Sequence, residues 1–296
     1  MSITHQNIIQ KRHTFGVASL AWSPDGTLIA SGGTRQISIW DVRSGKTRFT
    51  YRSQTLAVAA VAWSPDGRRL ACSGNGREIE VWDNPKMPAL FRGHTDHVLA
   101  LAWSPDSSRL ASCSSDRTMR VWEAATGHEV AAYRTDTAVA LSLAWSPDGK
   151  YLACAGGGTM MGVQVWDVAS ASLASHYRGY PSLVHSVAWS PDGTQLASGG
   201  WGTDVHITDA MSGQRLFVCA GRSQATAVMW SPDGRFIAAG NQSSEVWLWD
   251  AAHGKHVLTY RGHAQVLGVR AVAWSPDGTY IASGGGDRTT QVWKLA

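Results

Sequence analysis

Two sets of residues in this chain have the types that nucleophilic catalysis requires. His94 and Asp116, with Ser112 or Ser114 between them, form one; His263, Ser283 and Asp287 form the other. A Ser–His–Asp triad works because a hydroxyl loses its proton to an imidazole held in place by a carboxylate. An active site needs one such set, whereas these recur at a fixed place in an internal repeat, which argues for a structural role. Ser44-Gly45-Lys46-Thr47 imitates the end of a phosphate-binding loop, but that loop needs a glycine where Trp40 stands. The same slot reads Ala125-Thr126-Gly127-His128 and Ala252-His253-Gly254-Lys255 elsewhere, so it is a hairpin turn with glycine at positive φ. His94 with His97, and His253 with His256, lie three apart but lack a helix and a third ligand. The four cysteines are never closer than 41 residues, so no zinc quartet is expected. Cys72 and Cys154 share a repeat position and read as small buried packing groups. Asn241-Gln242-Ser243 fits a glycosylation acceptor that a cytosolic chain would not use. Neither Gly-x-Ser-x-Gly nor His-Glu-x-x-His occurs. No catalytic residue, cofactor or metal is expected.

The elements that must hold these residues are set by the repeat. Trp-Ser-Pro-Asp begins at Trp22, Trp63, Trp103, Trp145, Trp189, Trp230 and Trp274, at spacings of 41, 40, 42, 44, 41 and 44 residues. Glycine follows in every copy except the third, which has Ser107. Before each motif runs a short apolar stretch such as Val98 to Ala102, fit for an inner strand. The turn follows, with proline pre-setting φ and aspartate bonding nearby backbone. A second strand (Leu28 to Ser31), a Gly-rich turn, a third strand (Ile37 to Asp41, period-two) and a fourth (Thr47 to Tyr51) complete the unit. Seven four-stranded units of this size predict an all-β, seven-bladed propeller. Length and composition agree. At 296 residues, 44% apolar and 16% charged, the chain can bury a full core without disulfides or metals. Its longest apolar run, Leu56 to Trp63, is far short of a membrane span, and Ile3 to Thr14 lacks the apolar centre of a signal peptide. The expectation is one domain, residues 1–296, acting as a cytoplasmic monomer without membrane contact.

Trp40-Asp41, Trp82-Asp83, Trp166-Asp167 and Trp249-Asp250 end the third strands, with Trp122-Glu123 and Trp293-Lys294 as variants and Thr208-Asp209 in the fifth unit. With Gly93-His94 and Gly262-His263, these residues make the sequence resemble the WD-repeat family over essentially its whole length. The Trp-Ser-Pro-Asp-Gly turn resembles prokaryotic members. The resemblance implies a buried His–Ser/Thr–Asp–Trp network linking strands within a blade. It is matched in full only by His94, Asp116 and Trp122 in the third unit and by His263, Asp287 and Trp293 in the seventh. It also implies closure of the ring by the opening segment. Counting back from Trp22 as Tyr51 stands from Trp63 reaches Gln10, so Ile8-Ile9-Gln10-Lys11 is the candidate outer strand of the seventh blade.

Strand direction places the Ser-Pro-Asp turns and Trp-Asp strand ends on one face, here the bottom. Those motifs hold 13 of the 22 acidic residues. The opposite, top face carries Arg52, Arg92, Arg134, Arg178 and Arg261, each after an aromatic, with Arg222, Arg35, Arg77, Arg117 and Arg288. These arginines either bury their stems over the preceding ring or form forks for an acidic or phosphorylated peptide. Two top loops break the repeat with apolar side chains, Met160 and Met161 in the fourth unit and Trp201 in the fifth. The expected function is therefore a non-catalytic interaction platform (scaffold) for a protein or peptide partner. The proposed contacts are Met160, Met161, Trp201, Arg92, Arg134, Arg178, Arg117 and Arg288. A carbohydrate-binding propeller would want an aromatic in every top loop. An enzyme using the central channel would need converging acids or histidines on inner strands, which read as Val, Ala, Leu and Ser. A net charge of only +4 does not favour nucleic acid.

Overall fold

A computed structural model describes residues 5–83, 87–135, 139–157 and 162–295, which form seven four-stranded antiparallel blades around a central axis. Blade 1 shows the plan: Ser19–Trp22, Leu28–Gly32, Gln36–Asp41 and Thr47–Arg52 run outward in order. Blades 2 to 6 repeat it, with innermost strands Val58–Trp63, Val98–Trp103, Val139–Trp145, Val184–Trp189 and Ala225–Trp230. The two faces of a blade are each covered by a neighbour, so the middle strands are dry on both sides. The alternation in Ile37 to Asp41 therefore separates no wet face from a dry one, and Ser38 is buried with Ile37, Ile39 and Trp40. The outermost strand Thr47–Arg52 is mostly exposed, which is why its sequence is polar.

The core consists of layers between blades. One such layer joins Val17, Leu20, Trp22 and Trp40 to Ala271, Ala273, Ala282 and Val292, across the seam where the chain's two ends meet. Third-strand tryptophans Trp40, Trp122, Trp249 and Trp293 are fully buried, and burial of such a side chain is worth several kcal/mol, about 3–5 on truncation to alanine.

The Trp-Ser-Pro-Asp-Gly turn does two jobs. Within a blade, Ser23 Oγ–H donates to Asp25 Oδ1 while accepting the Leu28 amide at 2.9 Å, and Asp25 Oδ1 accepts the Thr27 amide at 3.0 Å. Gly26 has φ +69°, a left-handed conformation that glycine adopts without strain. Ser107 adopts φ +62° in its stead, and its hydroxyl accepts the Asp66 amide of the preceding blade's turn at 3.0 Å. Between blades, the indole N–H of the turn tryptophan reaches the preceding blade's innermost strand in four of the seven units. Trp22 donates to Ala273 O, Trp103 to Ala62 O, Trp145 to Ala102 O and Trp189 to Ala144 O, at 3.0–3.1 Å.

Closure follows the expected route with a longer strand. His5–Arg12 pairs antiparallel with Thr289–Leu295, with Gln10 opposite Gln291, and completes the blade begun by Val269–Trp274 and Tyr280–Gly285. Lys11 Nζ donates to Gly45 O at 2.9 Å and Thr47 Oγ1 at 2.8 Å, tying the closing strand to blade 1.

Candidate functional site

The two candidate triads are real clusters and cannot act as catalysts. His94 Nδ1 lies 2.8 Å from Asp116 Oδ2 and His94 Nε2 2.8 Å from Ser112 Oγ, and Trp122 Nε1–H donates to that same oxygen at 2.8 Å. Ser112, not Ser114, is thus the serine of the set. A neutral imidazole protonated at Nδ1 satisfies every group: it donates to the carboxylate and accepts the serine proton, while serine accepts from the indole. Burial lowers the His94 pKa, in keeping with the neutral form. Burial acts against ionisation of Asp116, yet donors from Thr118, the Thr95 amide and His94 outweigh it and hold the carboxyl at about 2. In blade 7, His263 joins Asp287 at 3.0 Å and Ser283 at 2.8 Å, and Trp293 Nε1–H donates to Ser283 at 3.4 Å. Ser112 and Ser283 are fully buried inside their blades. Neither hydroxyl can meet a substrate.

Other blades satisfy the same space with different chemistry. In blade 5, Tyr180 stands where blade 3 has His94. Its hydroxyl donates to Ser198 O, lies 3.1 Å from Ser198 Oγ, and its ring stacks on His206 at 4.2 Å between centroids. In blade 2, the buried Glu80 carboxylate accepts Ser53 Oγ–H at 2.9 Å and the Gln54 amide at 2.7 Å. Gly179-Tyr180 could have been aligned with Gly93-His94 from sequence; Glu80 carried no such signal. All four cysteines are free and buried, and burial pushes Cys154 and Cys219 up to about 12. Among the described residues no group of three or more His, Cys, Asp or Glu could hold a metal ion, and no helix is long and apolar enough to cross a membrane.

The top face keeps the features expected of it where they are described. The ten arginines are all exposed, and among the described residues none of them stacks on an aromatic ring. Arg92 pairs with Glu78 at 2.7 Å and Arg261 with Glu245 at 2.8 Å. Arg178 Nε donates to His176 Nδ1 at 3.0 Å, and Arg134 closes the outer strand of blade 3. Arg117 and Arg288 sit at loop tips with φ of +66° and +62°. Trp201 is 51% exposed, its ring 6.3 Å from that of His185. Met160 and Met161 lie outside the described residues. The inner strands are less uniform than Val, Ala, Leu and Ser. His185, Thr226 and Arg270 fill the bulge slot four residues before the turn tryptophan in blades 5, 6 and 7. Arg270 is exposed there, next to the start of its innermost strand. Aligning the units on their tryptophans would have found these three.

Ring closure, seven blades and the buried His–Ser–Asp–Trp chains together define a WD-type propeller. The chain belongs to the WD domain, G-beta repeat family, whose repeat pattern matches residues 6–41, 45–83, 86–123, 126–161, 170–209 and 254–294. Residues 211–268 are also similar to the anaphase-promoting complex subunit 4 WD40 domain. No curated protein matches the chain. Domains of this family are typically protein-interaction scaffolds, generally non-catalytic.

Proposed function

We propose that this propeller is a non-catalytic platform whose top face binds an acidic or phosphorylated segment of a partner protein. The observation that carries the reading is Trp201, half exposed on a loop that breaks the repeat, on a face rich in exposed arginines. An apolar anchor of this kind governs dissociation, whereas rim charges govern association and its salt dependence. His185 and Arg270 extend the surface to the starts of the innermost strands. On the same reading residues 1–296 are one domain, with prokaryotic kinship in its turns, working as a cytoplasmic monomer whose four thiols stay reduced.

Surface binding kinetics at two salt concentrations, against the partner that co-purifies, test this. Trp201→Ala should raise the dissociation rate about tenfold, the effect of 1.4 kcal/mol. Arg134→Glu with Arg178→Glu should chiefly slow association and flatten its salt dependence. Arg68→Glu with Arg69→Glu, on the bottom, should do neither. Loss of binding in the bottom pair with Trp201→Ala silent would refute the choice of face.

A further inference from the structure

The seams between blades differ in what covers the turn tryptophan on the bottom face: an aromatic at three of them, Leu28, Arg69 and Arg109 at three others, and Gln195 at the blade 5–blade 6 seam. Where the second residue after the turn glycine is aromatic, it stacks on the turn tryptophan of the next blade. Tyr280 stacks on Trp22, Tyr151 on Trp189 and Phe236 on Trp274, each at 6.4 Å between centroids. Between blades 5 and 6 that residue is Gln195, and an amide cannot cover Trp230 as a ring does. A cleft of about 600 Å³ opens there, against about 350 Å³ at the Tyr280 seam.

The cleft's polar groups are unevenly matched. Trp230 is 7% exposed and its Nε1–H has no acceptor, and the buried Gln195 Oε1 has no donor. Trp63 and Trp274 also lack acceptors, but they pack with Leu28 and Phe236 rather than with an amide. Asp192, Asp233 and Asp250 line the cleft with Pro191 and Pro232. Asp192 and Asp233 spend Oδ1 on their own turns, as Asp250 does on the Ala252 and His253 amides. The second oxygen of each has no hydrogen-bond partner among the described residues. Against these three carboxylates stands one cation, Arg235, whose guanidinium lies 5.4 Å over the Phe236 ring. The cleft is thus net negative, rich in unused acceptors and walled by apolar surface.

We infer that the blade 5–blade 6 cleft is a second binding site, taking an arginine side chain from a basic segment of a protein. A guanidinium offers five N–H donors and no acceptor, which answers the free carboxylate oxygens and, once the half-buried Gln195 side chain turns toward the cleft, its Oε1. Its methylene stem suits the proline-lined wall. This site lies on the face opposite Trp201 and does not depend on the top-face reading.

The probe is a fluorescein-labelled peptide of alternating glycine and arginine, followed by polarisation on the full chain. Saturable binding is expected, weakened at least about tenfold by Gln195→Tyr, which places in the cleft the ring that three other seams carry. Asp250→Asn keeps an acceptor for the Ala252 and His253 amides while removing one charge, and should weaken binding even if Gln195→Tyr perturbs folding. The glycine–lysine peptide should bind more weakly, and Arg134→Glu with Arg178→Glu should leave binding intact. Absence of saturable binding by the unmodified protein would overturn the inference, as would binding indifferent to Asp250→Asn and to a folded Gln195→Tyr.

Discussion

Replacing Asp116 by alanine removes one carboxylate that serves four donors at once. It accepts the Thr95 amide at 2.9 Å, the Thr118 amide at 2.9 Å, the Thr118 hydroxyl at 2.6 Å and the Nδ1–H of His94 at 2.8 Å. The Thr95 amide lies at the surface, where water can replace the lost oxygen, and the two Thr118 groups are partly buried. The fourth cannot be rescued this way, because the His94 side chain is fully buried. A hydrogen bond to a charged group contributes about 1.5–3 kcal/mol, and an orphaned buried donor costs about 1–3. The expected loss is about 2–4 kcal/mol, read as a fall in the urea midpoint at neutral pH. Asp96, in the neighbouring loop that carries His94 and Thr95, bonds the adjacent His97 amide and is exposed, so Asp96→Ala should stay within about 0.5 kcal/mol. Ser112→Ala removes the acceptor of Trp122 and the donor to His94, and both substitutions act through one imidazole. Their combination should fall short of the sum by at least about 0.5 kcal/mol. Equal losses at Asp116 and Asp96, or strict additivity of Asp116→Ala with Ser112→Ala, would refute the idea of a coupled chain.

Two further outcomes are expected. Deleting residues 1–12 removes the ladder opposite Thr289–Leu295 and the Lys11 bonds to blade 1, costing several kcal/mol in all; the shortened chain should melt without cooperativity or aggregate, and an unchanged monomeric melt would disprove closure. Burial lowers the pKa of His13 to about 4 and that of His94 as well, so the unfolded chain takes up these protons first; stability should fall as pH drops from about 6.5 to about 4, then again below about 4 as Asp116 and Asp287, held at about 2, are protonated, whereas a midpoint flat from pH 7 to 3 would contradict both assignments.

What the sequence revealed follows from the range of the interaction. Turns, strand order and the closing segment depend on residues close in the chain or on a fixed repeat, and these were legible. The His94–Asp116 pairing was legible too, because two complete copies could be compared. Contacts across seams join residues from different units, such as Trp189 to Ala144, and leave no periodic trace because every unit supplies both partners. Gln195 mattered only through the aromatic ring it replaces, which is visible once Tyr151 and Tyr280 are known to stack. His185, Thr226 and Arg270 were masked by the apolar strands around them, since a bulge slot has no pattern of its own. On the top face, Trp201 stood out because it is large and flanked by glycine.

The closing strand also has a history in time. His5–Arg12 leaves the ribosome roughly 280 residues before its partner Thr289–Leu295, a wait of about 15–60 s at ordinary rates of synthesis. Throughout that interval it is an unpaired strand beside blades that are already folding. Its composition suits the wait: His5, Gln6, Asn7, Gln10, Lys11 and Arg12 leave only Ile8 and Ile9 to attract another edge. A more apolar strand would grip the ring harder once docked and would be captured earlier by the wrong neighbour. The polar character of this segment therefore governs the yield of folded rings as well as their strength.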